Sequence, residues 1–294
     1  MAGDVIVATD FSPSARVAIG HAARIASDRG VGVHAATVVD SDHIATLASS
    51  VPLSREAVEK QVIERTKVLL RQELDDAGQQ AITSLHVSIG RPADAIEDLC
   101  ERLGAGLLVL GYHGKTERGR GPGTVAGRCV RHAPCDVLLT RRSHARSFKR
   151  VVVGVDFSEE GRGVIRAAAG MADPSGGEIV LLHAHANPFD ALDYTGFGFD
   201  EPVRYDDFNQ AIQADLDRVA QSMSADAGGR VSAEVLVDAH YGRAIAGWCT
   251  DHAADLVVVG TRRKPGLRYW LLGSTAEYIL KETECAVLAV RDGH

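Results

Sequence analysis

The chain repeats itself once. Val5-Ile6-Val7-Ala8-Thr9-Asp10-Phe11-Ser12 returns as Val152-Val153-Gly154-Val155-Asp156-Phe157-Ser158, and Leu108-Val109-Leu110-Gly111 returns as Val257-Val258-Val259-Gly260. Cys135-Asp136-Val137-Leu138-Leu139 likewise returns as Cys285-Ala286-Val287-Leu288-Ala289. The offset is 146 residues between Asp10 and Asp156, 149 between Gly111 and Gly260, and 150 between both Gly123 and Gly273 and Cys135 and Cys285. So steady an offset means two copies of one domain of about 145 residues, an ordinary domain size and far longer than a solenoid period. The expected layout is a first domain over 1–142, a basic linker over 143–149 and a second domain over 150–294.

Within each copy, apolar runs alternate with helical spacing. Val5 to Thr9 reads as a buried strand, and Asp-Phe-Ser-Pro after it opens a helix with Ser12 as cap and Pro13 in the first turn. Val31 to Val38 is the next strand, followed by a loop and an amphipathic helix over 54–77. Strands over 84–89, 107–110 and 137–140 follow, with helices over 92–103 and 124–132. The second copy places strands near 151–155, 178–184, 231–237, 255–259 and 286–290. Strands that are apolar throughout and alternate with helices predict a parallel sheet covered on both faces. The expected fold is therefore two tandem doubly wound, five-stranded α/β domains.

Charge and cysteine usage narrow the function. A net charge of -7 argues against a general nucleic-acid binder, and the basic run from Arg141 to Arg150 reads as a solvated linker. No apolar stretch approaches the roughly 18 residues needed to cross a bilayer. The N-terminus lacks the charged-then-apolar order of a signal peptide. Five cysteines, an odd number without a C-x-x-C pair, suggest reduced thiols in the cytoplasm.

Open parallel sheets bind ligands at the carboxyl ends of their strands, where strand order reverses. Asp10 and Asp156 close the first strands, Gly111 and Gly260 close the fourth, and Gly123-Thr124 and Gly273-Ser274 open the next helix. A helix N-terminus with free amides and partial positive charge attracts phosphate, and a preceding glycine lets the anion approach. A carboxylate on the first strand suits the base or ribose. The pattern predicts an adenine mononucleotide site in each copy.

These residues resemble the universal stress protein family in its tandem form, over nearly the whole chain. The resemblance is carried by Thr9-Asp10-Phe11-Ser12, Leu110-Gly111-Tyr112-His113-Gly114-Lys115, Gly123-Thr124 and His132-Ala133-Pro134-Cys135, and by their second-copy counterparts. It implies a Rossmann-like fold of the adenine-nucleotide α-hydrolase type and binding of ATP or AMP with Mg2+ as companion ion. It also implies a sensor or regulator without a dedicated catalytic machine. Two domains would pair as an intrachain pseudo-dimer through the strands at 137–140 and 287–290, with two chains associating as a homodimer. By correspondence, Asp10 and Ala35 would meet the adenosine, and Gly111, Gly114, Gly123, Thr124 and Val125 the ribose and phosphates. The second set is Asp156, Ala184, Gly260, Arg263, Gly273 and Ser274.

Both copies depart from the family spacing of Gly-x-x-Gly, nine residues, then Gly-Ser or Gly-Thr. The first has eight residues between Gly114 and Gly123, rich in glycine and charge, with Lys115, Arg118 and Arg120. The second keeps nine but carries Arg263 in place of the second glycine, where it either occludes the site or offers a guanidinium to phosphate. The first copy is the better expected site. His183-Ala184-His185 projects two rings from one strand face as metal pairs do, but aligned with His34-Ala35-Ala36 it reads as a cleft-edge feature. The Gly-Arg of Gly90-Arg91 and Gly242-Arg243 reads as a shared strand-to-helix turn with an optional phosphate role. The aromatic insert over 187–207 is either a loop over its own domain, a lid, or a partner surface. Two other classes of function stay open: a binding module with decayed nucleotide sites for an apolar ligand or protein, and a slow ATPase, although no Ser-His-Asp or metal-ligand motif is readable.

Overall fold

A computed structural model describes residues 3–76, 82–115, 119, 121–141, 147–157, 161–187, 205–227, 230–263 and 270–291. The chain divides into two compact units, Met1–Arg146 with Arg263–Leu271, and Ser147–Arg262 with Leu272–His294.

The first unit runs β1 (Val5–Ala8), α1 (Pro13–Arg29), β2 (Val33–Asp40), α2 (Ser41–Ser50), α3 (Arg55–Asp76), β3 (Ser84–Gly90), α4 (Pro92–Leu103), β4 (Leu107–Gly111), α5 (Thr124–His132) and β5 (Asp136–Thr140). All its strand pairs are parallel, in the order β3-β2-β1-β4-β5. The second unit repeats this with β6 (Arg150–Gly154), α6 (Gly161–Ala169), β7 (Glu178–His185), α7 (Tyr205–Ala227), β8 (Arg230–Val237), α8 (Tyr241–Asp251) and β9 (Leu256–Arg263). A two-residue strand β10 (Trp270–Leu271), α9 (Ser274–Glu282) and β11 (Ala286–Arg291) complete the order. Here the strand order is β8-β7-β6-β9-β11, again parallel. Each repeat is a five-stranded doubly wound α/β domain.

The central strand β1 is buried along its whole length, whereas the edge strand β8 alternates between exposed and half-buried residues. That difference follows from helices covering both faces of the middle of a parallel sheet. Ser12 caps α1 by accepting from the Ala15 amide at 3.2 Å, and Pro13 occupies the first turn.

Three local expectations are corrected. The stretch after β2 is a helix, α2, because the Asp40 carboxylate caps it by accepting from the Asp42 amide at 2.8 Å. Residues 147–149 belong to the second domain rather than to a linker: Phe148 is buried and bridges Ala172, and the Ser147 hydroxyl donates to Asp173 at 2.6 Å. The remainder of the expected linker lies outside the described residues.

The third correction concerns register. Val5 pairs with Val33, and its counterpart Val151 pairs with Ile179, so β2 and β7 correspond at an offset of 146 rather than 149. His183 therefore matches Thr37 and not His34. One hydrogen bond confirms the match: the Thr37 hydroxyl donates to the Thr9 carbonyl at 2.7 Å, and His183 Nδ1 meets the Val155 carbonyl at 2.8 Å. The extra residues of the second copy enter only after β7.

Candidate functional site

In each domain the strand order reverses between the first and fourth strands, which opens a crevice at their carboxyl ends. In the first domain β1 and β4 flank it, and α1 and α5 begin beside it. Phe11, directly after Asp10, adopts a left-handed conformation with φ 65°, and Phe157 does the same with φ 57°. This tight exit from the strand turns each chain from the sheet into the following helix.

The loop after β4 is pinned at several points. The Tyr112 amide donates to the Thr140 carbonyl at 2.9 Å, and the Gly123 amide donates to the Tyr112 carbonyl at 2.8 Å. The His113 carbonyl accepts from the Ser14 hydroxyl and, at 3.4 Å, from Ser12 Oγ. Asp10, exposed at the crevice mouth, accepts from the Ser12 amide at 3.0 Å and from the Lys115 amide at 2.8 Å. Its carboxylate thus braces the β1 exit against the β4 loop. The expected partner of this carboxylate is the adenosine; its described partners are these two amides. Lys115 lies over the Phe11 ring, 5.2 Å from its centroid, and supplies positive charge at the mouth.

Gly111 ends β4 where a Cβ would stand 2.8 Å from the Ala15 nitrogen and from the Ser14 carbonyl carbon. It is a glycine because the first turn of α1 lies against it. Gly114 sits half-buried in the loop. Gly123 caps α5 without a side-chain hydrogen bond, with φ -56° and ψ 160°, and Thr124 and Val125 form the first turn. Gly273 caps α9 in the same way, with φ -66° and ψ 159°, and Ser274 follows it. No N-cap side chain closes either first turn, an arrangement that suits phosphate oxygens. Ala35 does not reach the crevice. It is fully buried in the interior of β2, paired with Val7 and Leu85, because the two-fold strand period and the register hold it there. Its place at the strand end belongs to Val38, the register match of Ala184.

The second crevice is furnished differently. Asp156 forms an ion pair with Arg262 at the end of β9, so its carboxylate faces a guanidinium. Gly260 is exposed, and a Cβ there would meet Val164 Cγ2 at 3.2 Å. Arg263 ends β9, and the loop 264–269 after it lies outside the described residues. Half-buried Ala184 lies near the end of β7, between His183 and His185. Phe157, His183, His185 and Phe208 form a ladder of rings with successive centroid separations of 4.6, 6.0 and 5.4 Å. His185 Nδ1 meets the Ala186 carbonyl at 2.8 Å, and its buried Nε2 has no hydrogen-bond partner among the described residues. Among the described residues no group of three His, Cys, Asp or Glu is placed to hold a metal.

Several features escaped the sequence. Thr9 donates to the buried Glu73 of α3 at 2.9 Å, and Arg16 Nε lies 3.9 Å from the same carboxylate. Burial pushes the Glu73 carboxyl above its ordinary range, outweighing that hydrogen bond and the Arg16 charge. The Gly-Arg equivalence also fails. Arg91 and His240 are the matching N-caps of α4 and α8, and Arg243 is spent on Asp238, with contacts from 2.8 Å. Most of the aromatic insert, 188–204, lies outside the described residues, as do Arg118 and Arg120.

Comparison with known proteins agrees with this architecture. The universal stress protein family matches residues 1–141 and again 147–291. Slr1230, a universal stress protein of Synechocystis sp., is 25% identical, with 98% of this chain and 99% of that protein covered. One from Thermus aquaticus is 28% identical over 49% of this chain and 99% of its own length. The crystal structure of a universal stress protein from Archaeoglobus fulgidus superposes with a TM-score of 0.68 at 17% identity, covering 99% of this chain and 97% of that one, a likeness of fold.

Proposed function

The chain belongs to the universal stress protein family in its tandem form, and from that premise we propose that its first domain binds an adenine nucleotide, ATP or AMP. The observation that carries the reading is the glycine-capped start of α5, held opposite the Asp10 brace. The first-turn amides of α5 with Thr124 and Val125 take the phosphates, and Gly114 lets them approach. Lys115 adds charge, and Mg2+ accompanies the triphosphate. Val38, near the end of β2, and the β1 exit flank the adenosine. Asp10 acts by fixing the loop. The nucleotide serves as a signal. The reading is completed by a regulatory role in the cytoplasmic stress response, pairing of the two domains within the chain, and association of two chains.

Titration calorimetry with ATP and AMP on the full chain tests the nucleotide. We expect saturable binding weakened at least tenfold by Gly123→Val, which puts a branched side chain at the phosphate. An absence of binding, or an unchanged affinity in that variant, refutes the assignment.

In the second domain a specific observation favours another ligand. The Asp156–Arg262 pair and the ring ladder leave a site better matched to a flat apolar molecule that donates a hydrogen bond to His185 Nε2. Mass spectrometry of purified protein under native conditions distinguishes the two: a second nucleotide per chain would overturn this view.

A further inference from the structure

At the opposite, amino-terminal end of the first domain's sheet, three strands bring together a polar relay. His34 Nε2 lies 3.0 Å from Asp4 Oδ2, and His34 Nδ1 lies 2.6 Å from the Ser84 hydroxyl oxygen. On its other side Ser84 Oγ lies 2.7 Å from His86 Nε2. Asp4 is further fixed by the Gly32 amide, which donates to its other oxygen at 2.8 Å. The hydrogen bonds from His34 and Gly32 hold the Asp4 carboxyl below its ordinary range, so it is ionised and can only accept. With the His34 proton on Nε2, towards Asp4, Nδ1 is the acceptor for the Ser84 hydroxyl, and His86 Nε2 lies 2.7 Å from the serine oxygen and 3.4 Å from His34 Nδ1.

The second domain shows that the scaffold does not need this relay. At the register-matched positions it carries Arg150 for Asp4, Val180 for His34 and Glu234 for His86, while Ser232 keeps the serine. Its sheet folds all the same. His34 is buried, whereas Ser84 and His86 are half-buried on the edge strand β3 and reachable from solvent.

We propose that Ser84, with His34 as base and Asp4 orienting it, is a nucleophile towards activated acyl donors, a simple ester or thioester. Ser84 Oγ bonds to the acyl carbon as its proton passes to His34 Nδ1. The bond from that carbon to the leaving alkoxide or thiolate breaks, and His34 returns the proton to the departing group. Water, deprotonated by the same imidazole, then cleaves the acyl-serine to a free carboxylic acid and restores the hydroxyl. Because the Thr83 amide donates inward to Val33, the alternation of an edge strand turns the Ser84 amide outward, where it can stabilise the oxyanion.

This assignment stands apart from the nucleotide reading, since the two sites use opposite ends of the strands. A fluorophosphonate probe incubated with the full chain, followed by peptide mass spectrometry, tests it. We expect an adduct on Ser84 and none on Ser232, the internal control, with hydrolysis of 4-nitrophenyl acetate lost in Ser84→Ala. His34→Gln should slow labelling about 100-fold or more, the lower range of a general base's contribution. Circular dichroism melting of each variant verifies the fold, and if His34→Gln unfolds, Asp4→Asn serves in its place. Ser84 labelling no faster than Ser232, or insensitive to loss of the base, overturns the proposal.

Discussion

Replacing the buried Thr9–Glu73 pair with its counterpart from the second domain tests how polar burial is balanced beneath the first crevice. Val155 stands where Thr9 does, and the buried Leu216, Ala220 and Met223 of α7 repeat the spacing of the buried Thr66, Leu70 and Glu73 of α3, which sets Met223 against Glu73; Val155 and Met223 are both 8% exposed. Thr9→Val removes the donor to Glu73 Oε2 and the acceptor of the Phe11 amide at 2.9 Å. A buried polar group left without its partner costs about 1–3 kcal/mol. The Phe11 loss is tolerable, since Phe157 follows a valine, so we expect about 2 kcal/mol of destabilisation. Glu73→Met leaves Thr9 still accepting from Phe11 and buries an apolar chain, costing about 1 kcal/mol or less. The double variant restores a matched pair and should return to within about 1 kcal/mol of the parent, a coupling of about 1–2 kcal/mol. Both tryptophans, Trp248 and Trp270, lie in the second repeat, so urea unfolding is best followed by hydrogen exchange of β1 and α3 peptides. Strictly additive single effects would refute the reasoning. The pH dependence gives a second check. An acid whose folded value is raised binds its proton more tightly in the folded state. Stability at Glu73 is therefore gained as pH falls through the folded value and is complete below the ordinary 4.5. Glu73→Gln should flatten that gain.

Burial beside Arg24 depresses His21 from 6.5 to about 4. Its contribution is present above pH 6.5 and is lost as pH falls towards 4, about 3 kcal/mol in all. His21→Gln should shrink this acid limb in urea midpoints taken against pH, and an unchanged limb would exclude His21 as its source. Gly111→Ala should cost about 1–3 kcal/mol by thermal melting, because its Cβ would meet α1 backbone at 2.8 Å. Gly273→Ala, with nothing within 4 Å, should cost less than about 1 kcal/mol, and equal losses would contradict the packing argument. Arg262→Gln breaks a pair whose side chains are 61% and 57% exposed, so stability should change by less than about 1 kcal/mol. If the crevice without the Arg262 guanidinium admits nucleotide, calorimetry will show a second site.

The amino-acid order by itself determined the duplication, the alternation of strand and helix, and the glycine that precedes each candidate anion-binding helix. These are local patterns: apolar runs, a serine cap before a proline, a glycine at a helix start. Residue equivalences were legible only in part. Sequence similarity sets His183 against His34, but inter-strand pairing matches it to Thr37, because the inserted residues enter after β7. Only the tertiary structure decided what the acidic residues do. Asp10 is tied to an amide 105 positions away, and Asp156 is paired with an arginine 106 positions away. It also decided that Asp4, just before β1, His34 of β2 and Ser84 of β3 meet at one end of the sheet. Parallel pairing brings residues far apart in sequence to hydrogen-bond distance, and no spacing motif along the chain encodes that meeting.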